Sequence, residues 1–162
     1  MAFSRSAAEV RILILGGAGF IGSHLTTRLR TDGHDVTVVD NMSRGTGAVD
    51  LVADLTQADT YRGLPKDWDH VYLLAGIVGV ANVESAPRRA LEVNTQTVLR
   101  LLAWLPKDAR LFFASTSEVY AGSVTAGIAP VPTPEQVPLS VPDLLNPRFA
   151  YATSKILGEA AI

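Results

Sequence analysis

The chain has 162 residues, 48% of them hydrophobic and 19% charged, with a formal net charge of -2 at pH 7. That is enough chain for one domain with a core, too apolar for a disordered protein, and too near neutral to favour nucleic acid or an anionic membrane. Cysteine is absent, which excludes disulfides and thiolate metal sites and agrees with a reducing, cytoplasmic setting. Met1 to Glu9 is Ala/Ser-rich without a long apolar core and does not read as a signal peptide. No apolar run reaches the roughly 20 residues that span a bilayer.

An Ile/Leu run ending at Leu15 predicts a strand buried on both faces. It stops at Gly16, Gly17, Gly19 and Gly22, a G-x-x-G-x-x-G spacing rather than the G-x-G-x-x-G of the usual dinucleotide fingerprint. Ile21, Leu25 and Leu29 then recur at helical spacing up to Gly33, the expected C-terminal cap. A glycine turn between strand and helix suits a phosphate, because the helix start presents N–H groups and a positive dipole end. The plain alternative is a glycine-rich turn that binds nothing.

Asp35–Asp40 predicts a second strand ending in an acid, and strand, helix, strand makes a parallel βαβ unit. Asp40 lies where an acid accepts the adenosine ribose hydroxyls, about 20 residues beyond the glycines, which favours NAD over NADP. Arg44 pulls the other way, since a guanidinium can accept a 2′-phosphate. Met42 to Gly47 reads as a loop, Val49 to Leu55 as a short third strand, and Thr56 to Trp68 as a short helix and loop. His70 to Gly76 is the fourth strand, followed by a small-residue loop to Ala86. Pro87 to Leu105 is a helix, with Ala90, Leu91, Asn94, Val98, Leu101, Leu102 and Leu105 on one face. An Asn on such a stripe more often satisfies neighbouring backbone than binds a ligand.

Arg110 to Ala114 is the fifth strand and runs into Ser115-Thr116-Ser117-Glu118-Val119-Tyr120. Polar residues directly after a buried strand mark chemistry in an open α/β sheet, or else cap the next helix. Ala121 to Pro147 carries prolines spaced against any long helix and reads as a semi-rigid surface excursion, a lid or a linker. From Arg148 to Ile162 the chain turns helical, with Tyr151 and Lys155 four apart on one face. An ammonium beside the phenol is expected to lower its pKa from about 10 and make Tyr151 an acid/base near neutral pH. His24, His34 and His70 lack a metal-ligand spacing, so no metal is expected.

In order along the chain, Gly16-Gly17-Ala18-Gly19-Phe20-Ile21-Gly22, Asp40-Asn41, Asp54-Leu55, Leu74-Ala75-Gly76, Asn94, Ser115 to Tyr120 and Tyr151-x-x-x-Lys155 resemble the extended short-chain dehydrogenase/reductase family. The likeness is greatest to its NAD-dependent nucleotide-sugar epimerases, dehydratases and decarboxylases. It implies a Rossmann-like doubly wound parallel sheet over residues 1–162, incomplete at the C-terminus, since the family's C-terminal nucleotide-sugar-binding portion would lie beyond Ile162. It implies NAD as cofactor. Gly16, Gly19, Phe20, Ile21 and Gly22 would surround the pyrophosphate, Asp40 and Asn41 would hold the adenosine ribose, and Asp54 and Leu55 would border the adenine. Leu74, Ala75, Gly76 and Asn94 would line the cofactor further along. Tyr151 would take the proton of a sugar hydroxyl, with Thr116 bonded to the same hydroxyl and Lys155 keeping Tyr151 poised. Ser117 and Glu118 would act on the transient 4-keto sugar, and a glutamate there leaves 4-epimerisation, 4,6-dehydration and decarboxylation all open.

The substrate implied is a nucleotide-linked sugar. Members often pair through helices that include the one carrying the tyrosine, which leaves a homodimer open. Two departures stand out: Ala121, where many members have glycine, and the end of the chain at Ile162. The second raises the expectation of a fragment, of completion by another chain, or of a remnant that binds NAD weakly and turns over no sugar. The competing readings are a non-catalytic dinucleotide-binding regulatory module and an NADP-dependent reductase of a small carbonyl compound.

Overall fold

Ile12, Leu13, Ile14 and Leu15 are each at most 1% exposed, so the strand they form, β1 (Arg11–Leu15), is buried on both faces as its unbroken apolar run requires. The computed structural model describes residues 9–162; the N-terminal stretch read above as lacking a signal peptide lies, Glu9 apart, outside them. β1 is the middle strand of a parallel five-stranded sheet of order β3-β2-β1-β4-β5. Its neighbours are β2 (Asp35–Asp40), in register from Arg11↔Asp35 to Leu15↔Val39, and β4 (His70–Leu73), from Ile12↔His70 to Leu15↔Leu73. β5 (Arg110–Phe113) pairs with β4. This is the order of the first five strands of a Rossmann-like sheet, the fold class expected.

Helix α1 (Phe20–Thr31) sends Leu25 and Leu29 against the sheet cluster Ile12, Ile14, Val36 and Val38. Ile21, expected on the same face, is instead exposed, because it belongs to the first turn, beyond the sheet face. The helix ends where Gly33 predicted, in a Schellman closure: Gly33 N–H donates to Arg30 O at 3.1 Å and His34 N–H to Leu29 O at 3.1 Å.

The third strand is shorter than the sequence suggests. β3 is Leu51–Val52 at a sheet edge, with both side chains exposed. Asp50 extends the pairing by one backbone bond, its N–H donating to Val38 O at 2.9 Å. Its carboxylate accepts the Val38 N–H at 2.7 Å and Arg30 at 2.7 Å, so a side chain replaces a backbone partner. The short helix expected in residues 56–68 is α2 (Ala58–Arg62). The backbone order of the fourth and fifth strands ends at Leu73 and Phe113, short of Gly76 and Ala114.

By backbone proximity the chain divides into two compact units within what the sequence reads as one domain. One runs to Ala75 and includes Ala103–Ala114; the other is Gly76–Leu102 with Ser115–Ile162. The first unit holds the sheet, α1 and α2. The second holds α3 (Val80–Ser85), all but the last residues of α4 (Pro87–Trp104), α5 (Ala121–Thr125) and α6 (Ala150–Ala161). Of the stripe the sequence predicts along α4, Ala90, Asn94, Val98 and Leu101 are buried and Leu91 and Leu102 half-buried, and Thr97 and Trp104 are buried beside them. The proline-rich excursion starts with the single turn and a half of α5. It is tied down where Gly122 N–H donates to Ser140 O at 2.8 Å, Ser140 N–H to Val119 O at 2.8 Å, and the Ser123 hydroxyl to Pro138 O at 2.5 Å.

Candidate functional site

The glycine turn sits at the carboxyl end of β1, where the strand order passes from β2 on one side to β4 on the other, the place where open α/β sheets take ligands. Gly16 adopts φ +89°, and a Cβ there would stand 2.4 Å from Ala75 N. No other residue fits, because the Leu15 carbonyl accepts both Leu74 N–H (2.8 Å) and Ala75 N–H (2.9 Å), drawing the end of β4 against the turn. Gly22 meets the turn itself: its Cβ would lie 2.5 Å from Gly17 Cα.

Gly19 is different. A Cβ there would meet only Gly16 O, at 3.7 Å, an ordinary contact. Protein packing does not require that glycine. It is the N-cap of α1, it has no side chain to cap the first N–H groups, and the exposed Phe20 and Ile21 follow it. Open space beside uncapped helix N–H groups is what a pyrophosphate needs. The residues present therefore fit a dinucleotide.

Asp40 is half-buried and already engaged. Its Oδ2 accepts the Ala18 N–H at 3.1 Å and its Oδ1 the Met42 N–H at 2.8 Å. Each oxygen keeps a second lone pair for a hydroxyl donor. Asn41 Oδ1 accepts the Ser43 N–H at 3.0 Å. Sequence reading passed over the next loop, yet Gly45 and Gly47 pack on Ala18 of the turn: a Cβ on Gly45 would stand 2.5 Å from the Ala18 Cβ, and Gly47 N–H donates to Ala18 O at 3.2 Å. The Gly-x-Gly spacing was the available signal. Asp54 and Leu55 form their own loop. Thr56 donates to Asp54 Oδ1 through N–H and hydroxyl, at 2.9 and 2.8 Å, which holds that carboxyl below its usual range. Leu55 is buried, and its carbonyl accepts the Tyr61 hydroxyl at 3.1 Å.

In the second unit Asn94 joins the segment after β4 to α6. Its Oδ1 accepts the Ile77 N–H at 2.7 Å, and its Nδ2 donates to Ile77 O and Ser154 Oγ, both at 3.2 Å. Ser154 in turn donates to Tyr151 O at 2.6 Å. Asn94 thus braces the α6 turn that carries the phenol, and a Cβ on Gly76 would press on its amide at 3.1 Å.

Lys155 Nζ lies 5.7 Å from the Tyr151 ring centre, one helical turn along. Lys155 is 4% exposed, and burial pulls its pKa from 10.5 down to about 8. The expectation that this ammonium lowers the phenol's pKa is overturned: Tyr151 is raised, first by burial of the phenolate and then by the charge of Glu118. Burial disfavours the phenolate, and by the pH at which a phenol titrates Lys155, with its pKa of about 8, has already lost the charge that would offset it.

Thr116 caps the 3-10 turn Ser117–Tyr120, accepting the Glu118 N–H at 3.3 Å while keeping its own O–H to donate. That turn packs against α6. Ser117 and Glu118, with Tyr120, Ala121, Val124, Thr125 and Thr133, line an open cavity of about 550 Å³. Arg148, which sequence reading did not single out, donates through two nitrogens to Glu118.

The family model described as the NAD dependent epimerase/dehydratase family matches residues 12–162. UDP-glucuronic acid decarboxylase 1 of Danio rerio is 42% identical over 119 residues, covering 68% of this chain and 28% of that protein. A crystal structure of a UDP-galactose 4-epimerase superposes with a TM-score of 0.77 at 31% identity, over 93% of this chain and 50% of that one. The NDP-hexosamine 5,6-dehydratase TunA, involved in tunicamycin biosynthesis, superposes at 0.72 and 32% identity, over 93% and 48%. The chain thus spans about half the length of these solved relatives and less than a third of the curated one.

Proposed function

Because the chain belongs to the NAD-dependent epimerase/dehydratase family, we propose that it supplies the dinucleotide site and the acid/base pair of an enzyme that reworks a nucleotide-linked sugar through a transient 4-keto sugar. Gly16, Gly19, Phe20, Ile21 and Gly22 would hold the pyrophosphate of NAD, and the free lone pairs of Asp40 its adenosine ribose. When bound, NAD supplies a reversible acceptor for the C4 hydrogen and its electron pair.

The observation that carries the reading is Tyr151 beside the buried Lys155 on α6. With its pKa raised, the phenol holds its proton at neutral pH, the form that protonates a C4 oxygen as the ketone is reduced. The opposite direction requires the phenolate to take the hydroxyl proton, and Lys155, titrating near 8, is the neighbour able to relay it. Thr116 has an O–H to bond the same oxygen. A 4-keto group acidifies C5–H and makes a C6 carboxylate labile, and Glu118 lines the cavity as a base for those steps.

Tyr151→Phe in the full-length protein should cut turnover of UDP-sugars about 10³-fold while NAD still co-purifies, read by mass spectrometry. Undiminished turnover would remove the phenol from the chemistry. Glu118→Gln then sorts the outcome: loss of dehydrated or decarboxylated product with 4-epimerisation intact assigns Glu118 to the later step. The same reading extends to a homodimer, measured by sedimentation, and to a cytoplasmic location, with which the cysteine-free composition agrees.

A further inference from the structure

Arg148 lies in the 3-10 turn Pro147–Phe149 directly before α6. Local sequence fixes its backbone: Asn146 caps the turn by accepting the Arg148 N–H at 3.1 Å, and Pro147 opens it. From there its Nε (3.1 Å) and a terminal nitrogen (2.8 Å) both donate to Glu118 Oε1. Glu118 Oε2 makes no hydrogen bond among the described residues. The carboxylate side chain is 25% exposed and the guanidinium 49%. A pair this exposed adds little to stability, so its geometry calls for another explanation.

Resting on the assignment of Tyr151 as the acid/base, we propose that Arg148 is a positioning residue for that phenol: by holding Glu118 Oε1 it fixes the carboxylate at the cavity rim and offsets its charge toward Tyr151. The 3-10 turns that carry Glu118 and Arg148 both pack against α6, the helix of Tyr151, and after burial the charge of Glu118 raises the phenol's pKa. Lys155 and Glu159 follow Tyr151 on α6 at helical spacing, Tyr120 lies in the turn of Glu118, and the charge of Glu84 on α3 acts on Arg148. Glu159 accepts a hydrogen bond from Ser115.

The test is the titration of Tyr151 by NMR in full-length protein carrying 13Cζ-tyrosine, the signal assigned with Tyr151→Phe. Arg148→Met should raise the midpoint by about half a pH unit or more, and Glu118→Gln should lower it. In the E118Q background Arg148→Met should add no further shift, and Arg148→Lys should recover most of the native midpoint. An absent shift, or an equal shift with and without Glu118, overturns the proposal. The titration needs no turnover, so it is read even if the wild-type protein converts no sugar. Turnover with an unmoved midpoint would sink the role of Arg148 alone.

Discussion

At the scale of single residues, the site's glycines have two different causes. A Cβ on Gly16 collides with Ala75 backbone, whereas one on Gly19 meets nothing closer than 3.7 Å. Gly16→Ala should therefore lower stability by several kcal/mol, about 3 or more. Gly19→Ala should leave the unfolding free energy measured in urea within ~0.5 kcal/mol yet weaken NAD at least about tenfold by calorimetry, since only a ligand uses that space. Lys155 makes a pH-dependent prediction. Below about 8 its ammonium is protonated in folded and unfolded chains alike, and burial works against the fold. Between about 8 and its ordinary 10.5 the unfolded chain binds the extra proton, so stability rises with pH. Lys155→Met should stabilise the chain by about 2–3 kcal/mol at pH 7, and the gap should close toward pH 10 in urea denaturation at each pH. The spacing of Tyr151 and Lys155 was legible because a helical period of 3.6 puts both side chains on one face, where Lys155 Nζ lies 5.7 Å from the Tyr151 ring centre. It failed on the sign of the phenol's shift because that sign depends on burial and on Glu118, 33 positions away.

Among the elements, those with a strong period were legible and those that depend on a partner were not. The apolar run of β1 and the stripe of α4 announce themselves. β3 does not, because Asp50 completes the ladder with a side chain and leaves two paired residues. The proline-rich excursion was readable as irregular, but its anchorage was hidden. A Cβ on Gly122 would stand 2.6 Å from Ser140 Oγ and 2.9 Å from Ser140 and Val141 backbone. Gly122→Ala should loosen the anchor, costing about 1–3 kcal/mol, with new protease cleavage in residues 127–137 as the readout. Ala121, where the family resemblance led to an expected glycine, takes helical φ -57° and ψ -40° at the end of the 3-10 turn, so a side chain is tolerated there.

For the whole molecule, the proposed function puts a dinucleotide at the carboxyl end of the parallel sheet, and binding there should feed back on folding. NAD at about 100 times its Kd should add about 2.7 kcal/mol to the stability of the wild-type chain. The same NAD concentration should add distinctly less to Gly19→Ala, with protection in hydrogen exchange concentrated at the glycine turn and the start of α1. No helix among the described residues is long and apolar enough to cross a membrane.

What the amino-acid order determined by itself is local: the doubly buried first strand, the glycine spacing, the closure at Gly33, the α4 stripe and the Tyr151–Lys155 helical pair all follow from periods of two or 3.6 and from backbone sterics. Tertiary structure alone decided that Arg148 meets Glu118 across 30 positions, that Gly45 packs under Ala18, that Asn94 braces Ser154, and that the phenol is harder to ionise rather than easier. Charge, desolvation and close packing act through space, and separation along the chain carries no measure of them.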